Sequence, residues 1–371
     1  MDIQDLQTPA FLADLDVMEN NLKRAADAAL KYQKQIWPMI KTHKSTELAL
    51  LQKQYGCTGF LCGTLDEAEA LAKAGLGPIM YAYPVASENA IRRVTALSNC
   101  CRLILRLDDP ASAALVERYA QEEQITLDYT IIVDCGLHRF GIPPEEAGCF
   151  AENLRQFPHL CFKGISTHPG HVYASRTASA AAQYAQDECS ALRTAKQSLL
   201  KKGFVPEIIS SGSTPTFSYA IADENIQIYH PGNYIFCDYI QMSVGAAKEE
   251  DCALTVLSTI ISHPREDLFL CDAGAKCLGL DQGAHGNTAI TGYGYVIGHP
   301  ELSVSGLSEE VGKIHVNGKT DLKTGDRIRI IPNHSCSSAN LTSWLAGVRG
   351  NTVDHMICVD MRGNSTIKAP V

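Results

Sequence analysis

Through residue 240, short apolar and β-branched runs alternate with longer amphipathic stretches. The runs lie at 35–41 (QIWPMIK), 58–63 (TGFLCG), 78–84 (PIMYAYP), 101–107 (CRLILRL), 129–135 (YTIIVDC), 161–168 (CFKGISTH), 207–212 (EIISSG) and 226–231 (IQIYHP). Each is too short for a stable helix and too continuously apolar for a strand with one wet face, so each predicts a strand buried on both sides. Between them, TELALLQKQY, LDEAEALAKAG, ASAALVERYAQEE, EAGCFAENLRQF and ASAAAQYAQDECSALRTAKQSLLKKG have helical character, and Gly75 and Gly203 stand where helix C-caps belong. Eight strand–helix units predict an α/β protein built on a (β/α)8 TIM barrel over residues 15–240. An open doubly wound sheet would also alternate, but it would carry a phosphate-binding glycine loop after its first strand, and none follows residue 41.

Beyond residue 240 the long helical stretches stop. ALTVLSTIISHP, DLFLCDAG, YGYVIGHP, GKIHVNGK, DRIRIIPN and VDHMICVD follow, with turn signals at Asn317-Gly318 and Gly325-Asp326. This predicts a second, C-terminal all-β domain over 241–371. The segment 1–14, containing TPAFLADLD, reads as a strand that joins this domain before the barrel begins.

Composition narrows the class. The 371 residues are 45% apolar and 20% charged, as in an enzyme-sized globular protein, and the net charge of −9 argues against nucleic-acid binding. The start lacks the basic and apolar regions of a signal peptide, and no run reaches the ~18–20 apolar residues of a membrane span, so a cytoplasmic location is expected. The 14 cysteines are scattered without a C-x-x-C pair and are expected to be mostly reduced core residues.

In a barrel the chemistry sits at the C-terminal ends of the strands. Here those ends carry Lys41-Thr42-His43-Lys44, Gly63-Thr64, Asp134 to Arg139, His168 to Tyr173, Ser210 to Thr216, and His230 to Tyr234. The Ser211-Gly212-Ser213-Thr214 stretch is small and hydroxylic and follows strand seven, where barrels commonly hold phosphate; an ordinary capped turn has the same composition. A lysine at the mouth of strand one facing such a cradle suggests pyridoxal 5′-phosphate, with Lys41 as the covalent anchor. Lys44 follows in the loop and is expected to face solvent or the phosphate region. Arg139 is a candidate donor to a cofactor oxygen or a substrate carboxylate. His168, His171 and Tyr173 are candidates to pack on the cofactor or bind substrate. In the β domain, His334 and Cys336 would project from one face of an extended segment. Imidazole and thiolate are zinc-type ligands, and two of them leave coordination positions open, as in a catalytic site.

Taken together, Lys41-Thr42-His43-Lys44, SGSTPT at 211–216, PGNYIFCD at 231–238, DAGAK at 272–276 and PNHSC at 332–336 resemble the D-serine dehydratase/D-threonine aldolase group of fold-type III pyridoxal-phosphate enzymes. That group is related to the N-terminal domain of alanine racemase. The resemblance spans nearly the whole chain. It implies a homodimer, with Lys41 carrying the cofactor and His334 and Cys336 holding a divalent metal, zinc in type, near a substrate hydroxyl. Cofactor-binding roles are expected for Lys41, His168, Tyr173, Ser211, Gly212, Ser213, Thr214 and Tyr234. Catalytic roles are expected for Lys41, His43, Arg139 and Tyr173. The reaction expected is dehydration of a D-3-hydroxyamino acid, for D-serine giving pyruvate and ammonia. Aldol cleavage to glycine and an aldehyde, racemisation, and a non-catalytic cofactor carrier are the alternatives. The aldolase branch places an aspartate two residues after the metal histidine, where this chain has Cys336. The aromatic of the family's D-A-G-W-K is Ala275 here.

Overall fold

The computed structural model describes residues 1–175, 178–283 and 289–363; the end of the segment 241–371 lies outside them. The strands are β1 (Ala10–Asp14), β2 (Gln35–Ile36), β3 (Phe60–Cys62), β4 (Ile79–Tyr81), β5 (Leu103–Leu107), β6 (Leu127–Ile132), β7 (Leu160–Ser166), β8 (Ile208–Ser211) and β9 (Ile228–Tyr229). β10 (Leu254–Arg265), β11 (Leu268–Cys271), β12 (Gly294–Val296), β13 (Leu302–Leu307), β14 (Gly312–Val316), β15 (Arg327–Pro332), β16 (Trp344–Arg349) and β17 (Thr352–Cys358) complete the set.

β2 to β9 form one sheet in the order β2-β9-β8-β7-β6-β5-β4-β3, with all pairs parallel. A parallel bridge between Met39 and Leu61 joins the two ends and closes the barrel. β2 is far shorter than its apolar run because Pro38 has no N–H for the ladder and the chain then coils into a 3-10 turn, Ile40–Thr42. That turn lifts Lys41 onto the rim.

Helices cover the outside of the barrel. Helix Leu65–Lys73 stops at Gly75 (φ +68°), where Leu76 N–H reaches the Leu71 carbonyl and Gly75 N–H that of Ala72. A left-handed glycine closes the last turn in this way.

Inside the barrel, Trp37, Met39, Leu61, Met80, Ala82, Ile104, Ile208 and Ile228 pack into an apolar plug. Two residues further along their strands, on the same face, come Arg106, Ser210 and His230. The interior therefore changes from apolar to polar toward the C-terminal rim, and this change marks the floor of the site.

The second sheet contains β10 to β17 and β1. β1 pairs antiparallel with β10 (Ala10 opposite Leu257) and parallel with β16 (Leu12 opposite Ala346) before the chain enters the barrel. Val256, Ile260, Phe269, Val304, Ile314, Ile328 and Ile330 form its core. β15 ends at Pro332 and delivers residues 333–336 to the barrel mouth. Among the described residues no helix is long and apolar enough to cross a membrane.

Candidate active site

One cavity lies where the barrel rim meets the loop after β15. Lys41, Thr42, Arg106, Asp134, Arg139, His168, Tyr173, Gly212, Ser213, Thr214, His230, Asn233, His334 and Cys336 are among its walls.

The barrel supplies a cationic wall. Arg139 comes from the loop after β6, and Asp134 shapes that loop. Its carboxylate accepts the N–H groups of Gly136 (2.9 Å) and His138 (3.1 Å) and pairs with His138 Nδ1 at 2.7 Å. Partial burial opposes this carboxylate's charge, but those bonds outweigh it and hold its pKa below the usual value. Arg106 stands in the floor, buried, its Nε donating to Ser166 Oγ at 2.7 Å. Burial pulls its pKa down to about 10, so it stays cationic at neutral pH, and no carboxylate pairs with it among the described residues. A buried guanidinium that Asp108 favours only from a distance, with no carboxylate in salt-bridge contact, is a site for an anion.

Two imidazoles in the wall are neutral. His168 Nδ1 donates to the Gly212 carbonyl and His230 Nδ1 to the Trp37 carbonyl, both at 2.8 Å. Carbonyls only accept, so each ring carries its proton on Nδ1. Burial, and for His168 the Lys41 charge next, pulls both pKa values down to about 3.

At Gly212 (φ +153°) a Cβ would lie 2.6 Å from His230 N, so β8 and the residues after β9 approach as closely as only glycine allows. Ser213 precedes the short helix Thr214–Ala220 and makes no side-chain cap bond to it.

The β domain supplies the thiol–imidazole pair. The segment is not extended throughout, as the sequence suggested: His334 is extended, and a helix starts at Ser335 (Ser335–Ala339) because His334 takes the N-cap position. Both side chains still reach the cavity. His334 Nδ1 lies 3.6 Å from Asp281 Oδ1, and Cys336 Sγ is 3.2 Å from Thr42 Oγ1. Burial opposes charge on both. It is outweighed at His334 by the Cys336 sulfur and Asp281, which raise the imidazole well above its usual pKa. At Cys336 it is outweighed by His334 and Lys41, which lower the thiol. The pair is thus polarised toward thiolate and imidazolium; a metal ion would take the thiolate directly and displace the imidazolium proton.

Lys41, Arg139, His168, Tyr173, Gly212, Ser213, Thr214, His334 and Cys336 converge on this cavity. Four residues expected there, His43, Tyr234, Ser211 and His171, do not place their side chains in its walls. His43 is fully buried behind the rim, with Nε2 on Gln52 Oε1 at 3.1 Å and Nδ1 accepting the Ser45 N–H at 3.1 Å. Both nitrogens are used and burial lowers its pKa to about 4, so it is a structural histidine rather than an acid–base group. Tyr234 belongs to the same buried chain, its hydroxyl accepting from Gln52 Nε2 at 3.2 Å. Ser211 faces outward and donates to Glu188 at 2.7 Å. His171 packs edge-on against Tyr184. Lys44, expected near solvent or phosphate, is buried (4% exposed) and pairs with Glu67 at 2.5 Å. Its left-handed backbone (φ +47°) turns the side chain inward, and Glu67 and the Gly363 carbonyl satisfy the ammonium there.

The sequence reading passed over Arg106, Asp238 and Asp281. Arg106 had a visible signal, a charge inside the continuously apolar run LILRL, which a buried strand tolerates only with a purpose. Asp238 closes the PGNYIFCD motif, and the motif's residue types alone give no sign of what it holds.

The fold and site define a class: a lysine-bearing barrel with the alanine racemase-like architecture, faced by a thiol–imidazole pair from a β domain. Residues 13–239 match the family described as "Alanine racemase, N-terminal domain", and 253–348 match a serine dehydratase domain family. The chain belongs to this family, in its D-serine dehydratase/D-threonine aldolase group, whose members are pyridoxal-phosphate-dependent lyases. It is 28% identical to 3-hydroxy-D-aspartate aldolase of Paracoccus denitrificans (strain Pd 1222) over 381 aligned residues, covering 98% of this chain and 94% of the relative. It is 29% identical to D-serine dehydratase of Dictyostelium discoideum, covering 92% and 93%. The solved structure of D-threo-3-hydroxyaspartate dehydratase from Delftia sp. HT23 superposes with a TM-score of 0.90 at 26% identity, covering 96% of this chain and 98% of that one.

Proposed function

We propose that this protein is a pyridoxal-phosphate- and metal-dependent D-3-hydroxyamino acid dehydratase, acting on D-serine or a close analogue to give a 2-oxo acid and ammonia. The observation that carries the reading is the convergence of Lys41 with His334 and Cys336 on one cavity.

The residues present fit the cofactor. A lysine amine, the small, hydroxylic Gly212-Ser213-Thr214 turn in the cavity wall, and two cations, Arg106 and Arg139, that form no carboxylate salt bridge among the described residues suit a phosphorylated aldehyde with a phenolic oxygen. Among the described residues His230 Nε2 is buried without a hydrogen-bond partner, so the floor has unused polar capacity. They also fit a divalent ion: thiolate and imidazole are its preferred soft and borderline donors, and Asp281 on His334 Nδ1 is the usual support for such a ligand. Among the described residues no group of three or more ligating side chains surrounds this pair, which leaves room for substrate and water.

When bound, pyridoxal phosphate would supply the electron sink that makes the α-hydrogen of an amino acid acidic. Lys41 Nζ would hold the cofactor and then, as a free amine, take that proton. Arg139 would orient an anionic group at the mouth. His334 and Cys336 would hold the ion, which would supply Lewis acidity at the β-hydroxyl. His168 and His230, kept neutral by burial, would leave proton transfer to Lys41.

Incubation with D-serine, D-threonine and D-threo-3-hydroxyaspartate, with product analysis before and after chelation, tests the reading. Formation of 2-oxo acid and ammonia, lost with the metal, is the expected result. Glycine and an aldehyde from the same substrates would mean aldol cleavage, the second reading, which the similarity to 3-hydroxy-D-aspartate aldolase favours. Racemisation that survives chelation, or no turnover at all, would overturn the lyase assignment. Zinc as the ion, a homodimer, the division into 15–240 and 241–371, and a cytoplasmic location complete the proposal. Metal analysis and sedimentation check the first two.

A further inference from the structure

Asp238 is one of the most completely enclosed carboxylates in the protein, with no exposed surface. It stands where the last turn of the barrel meets the loop that carries the thiol–imidazole pair. Oδ2 accepts the backbone N–H of Ser335, the residue between His334 and Cys336, at 2.8 Å. The same oxygen accepts Asn233 Nδ2 at 2.5 Å, and that amide nitrogen lies 3.7 Å from Cys336 Sγ. Oδ1 caps the helix Tyr239–Ser243 through the Gln241 N–H at 2.9 Å. One rung further on, Ile240 N–H donates to the Asn333 carbonyl at 3.1 Å.

We propose that Asp238 is a positioning residue for the metal-donor pair: through the Ser335 N–H and Asn233 it fixes His334 and Cys336 of the β domain against the barrel that carries Lys41. The physical case has three parts. His334 and Cys336 straddle a peptide whose N–H is buried, so the group that accepts that N–H sets the peptide plane and with it the direction of both side chains. Burial raises the Asp238 pKa, opposed by the nearby His334 charge and the N–H donors of Gln241, Ser335 and Asn233, and in its ionised form the acceptor makes this bond about twice as strong as a neutral one. And because Asn233 is held by the same oxygen, its remaining donor faces the Cys336 sulfur, where it steadies a thiolate. The carboxylate's charge also favours a cation at the donors over the bare pair. Supporting groups of this kind typically change metal affinity by about 10–100-fold. Asparagine cannot serve both ends of Asp238: its amide nitrogen placed at Oδ2 would present a donor to the Ser335 N–H and Asn233, and placed at Oδ1 it would present one to the Gln241 N–H.

The inference rests on the metal reading of the site, and the test keeps the two apart. Wild type, Asp238→Asn, His334→Ala and Cys336→Ala are loaded with pyridoxal phosphate and titrated with Co(II). Affinity comes from competition with a chromophoric chelator, and Cys336 coordination from the thiolate-to-cobalt charge-transfer band. The expected result is a band in wild type that is absent in Cys336→Ala, and in Asp238→Asn a Kd raised by about 10–100-fold, with that band shifted or weakened and the bound-cofactor absorbance unchanged. A purely structural role would lower the Tm but leave the Kd and band at wild-type values, and that outcome overturns the inference while sparing the metal reading. Absence of a thiolate band in wild type overturns the metal reading, and the inference with it. If Asp238→Asn does not fold, Asn233→Ala decides the matter, because it cuts the tether to Cys336 and keeps the buried carboxylate. A several-fold rise in Kd supports the inference, and an unchanged Kd overturns it.

Discussion

Thr42 and Cys336 are 294 positions apart in the chain, and their side chains meet with 3.2 Å between hydroxyl oxygen and sulfur. Thr42 is the neighbour of the rim lysine and Cys336 belongs to the β domain, so this contact spans the cavity's two walls. Thr42→Val keeps the volume and removes the hydrogen bond. A net loss of ~1 kcal/mol at the thiolate should weaken metal binding by about 2–10-fold, read by chelator competition, with little change in Tm. An unchanged Kd would mean that the contact is incidental.

Lys41→Ala should abolish covalent cofactor attachment. Borohydride reduction of the loaded wild type should add the cofactor's mass to the peptide containing Lys41, and the variant should stay unlabelled. Turnover should fall by at least ~10²–10⁴-fold, the range for losing a general base. Labelling that persists in the variant would assign the anchor to another amine.

Lys44 and Glu67 form a buried ion pair, and Glu67 Oε2 also accepts the Gly63 N–H at 2.6 Å. Lys44→Met alone would strand a buried carboxylate and should cost about 3–5 kcal/mol, whereas joining it to Glu67→Gln should recover part of that loss. Denaturant midpoints of the two variants give the comparison. Equal midpoints for Lys44→Met and wild type would contradict the pairing.

Glu188 lies behind Ser211, and burial pushes its pKa up to about 7, against an ordinary 4.5. The folded state therefore binds more protons than the unfolded chain between these values, so this group's contribution falls as pH rises from 4.5 through 7. The full effect is roughly 3 kcal/mol as an order of magnitude. Glu188→Gln should flatten that decline, so its Tm relative to wild type should be higher at pH 8 than at pH 5. A Tm difference independent of pH would refute the shift.

His43→Asn should lower stability and leave the cofactor's absorbance and the substrate KM close to wild type, because His43 serves the buried chain through Gln52 to Tyr234. A selective loss of kcat with unchanged Tm would instead return His43 to the catalytic residues.

The alternating apolar runs were enough to read the barrel, because a parallel strand buried on both faces leaves a mark that needs no partner to recognise. The same holds for Lys41, whose place at the end of the first run put it on the rim. Side-chain direction within the rim was not readable. His43 and Lys44 sit two and three residues past Lys41, but a 3-10 turn and a left-handed residue rotate them away from the cavity. Arg106 escaped notice because strand alternation shows that one face is interior, not where along the strand the interior turns polar.

The sequence by itself determined which apolar runs become strands buried on both faces, roughly where the rim lies, and which side chains have the chemistry for a lysine-anchored cofactor and a soft-donor metal. Those are local properties, set by periodicity and residue type. Only the tertiary structure decided that Cys336 faces Thr42, that Asp238 grips the Ser335 N–H, and that His43 turns its back on the site. Each depends on chain segments far apart in sequence closing to hydrogen-bond distance, and on the few degrees of backbone rotation that choose one neighbour over another.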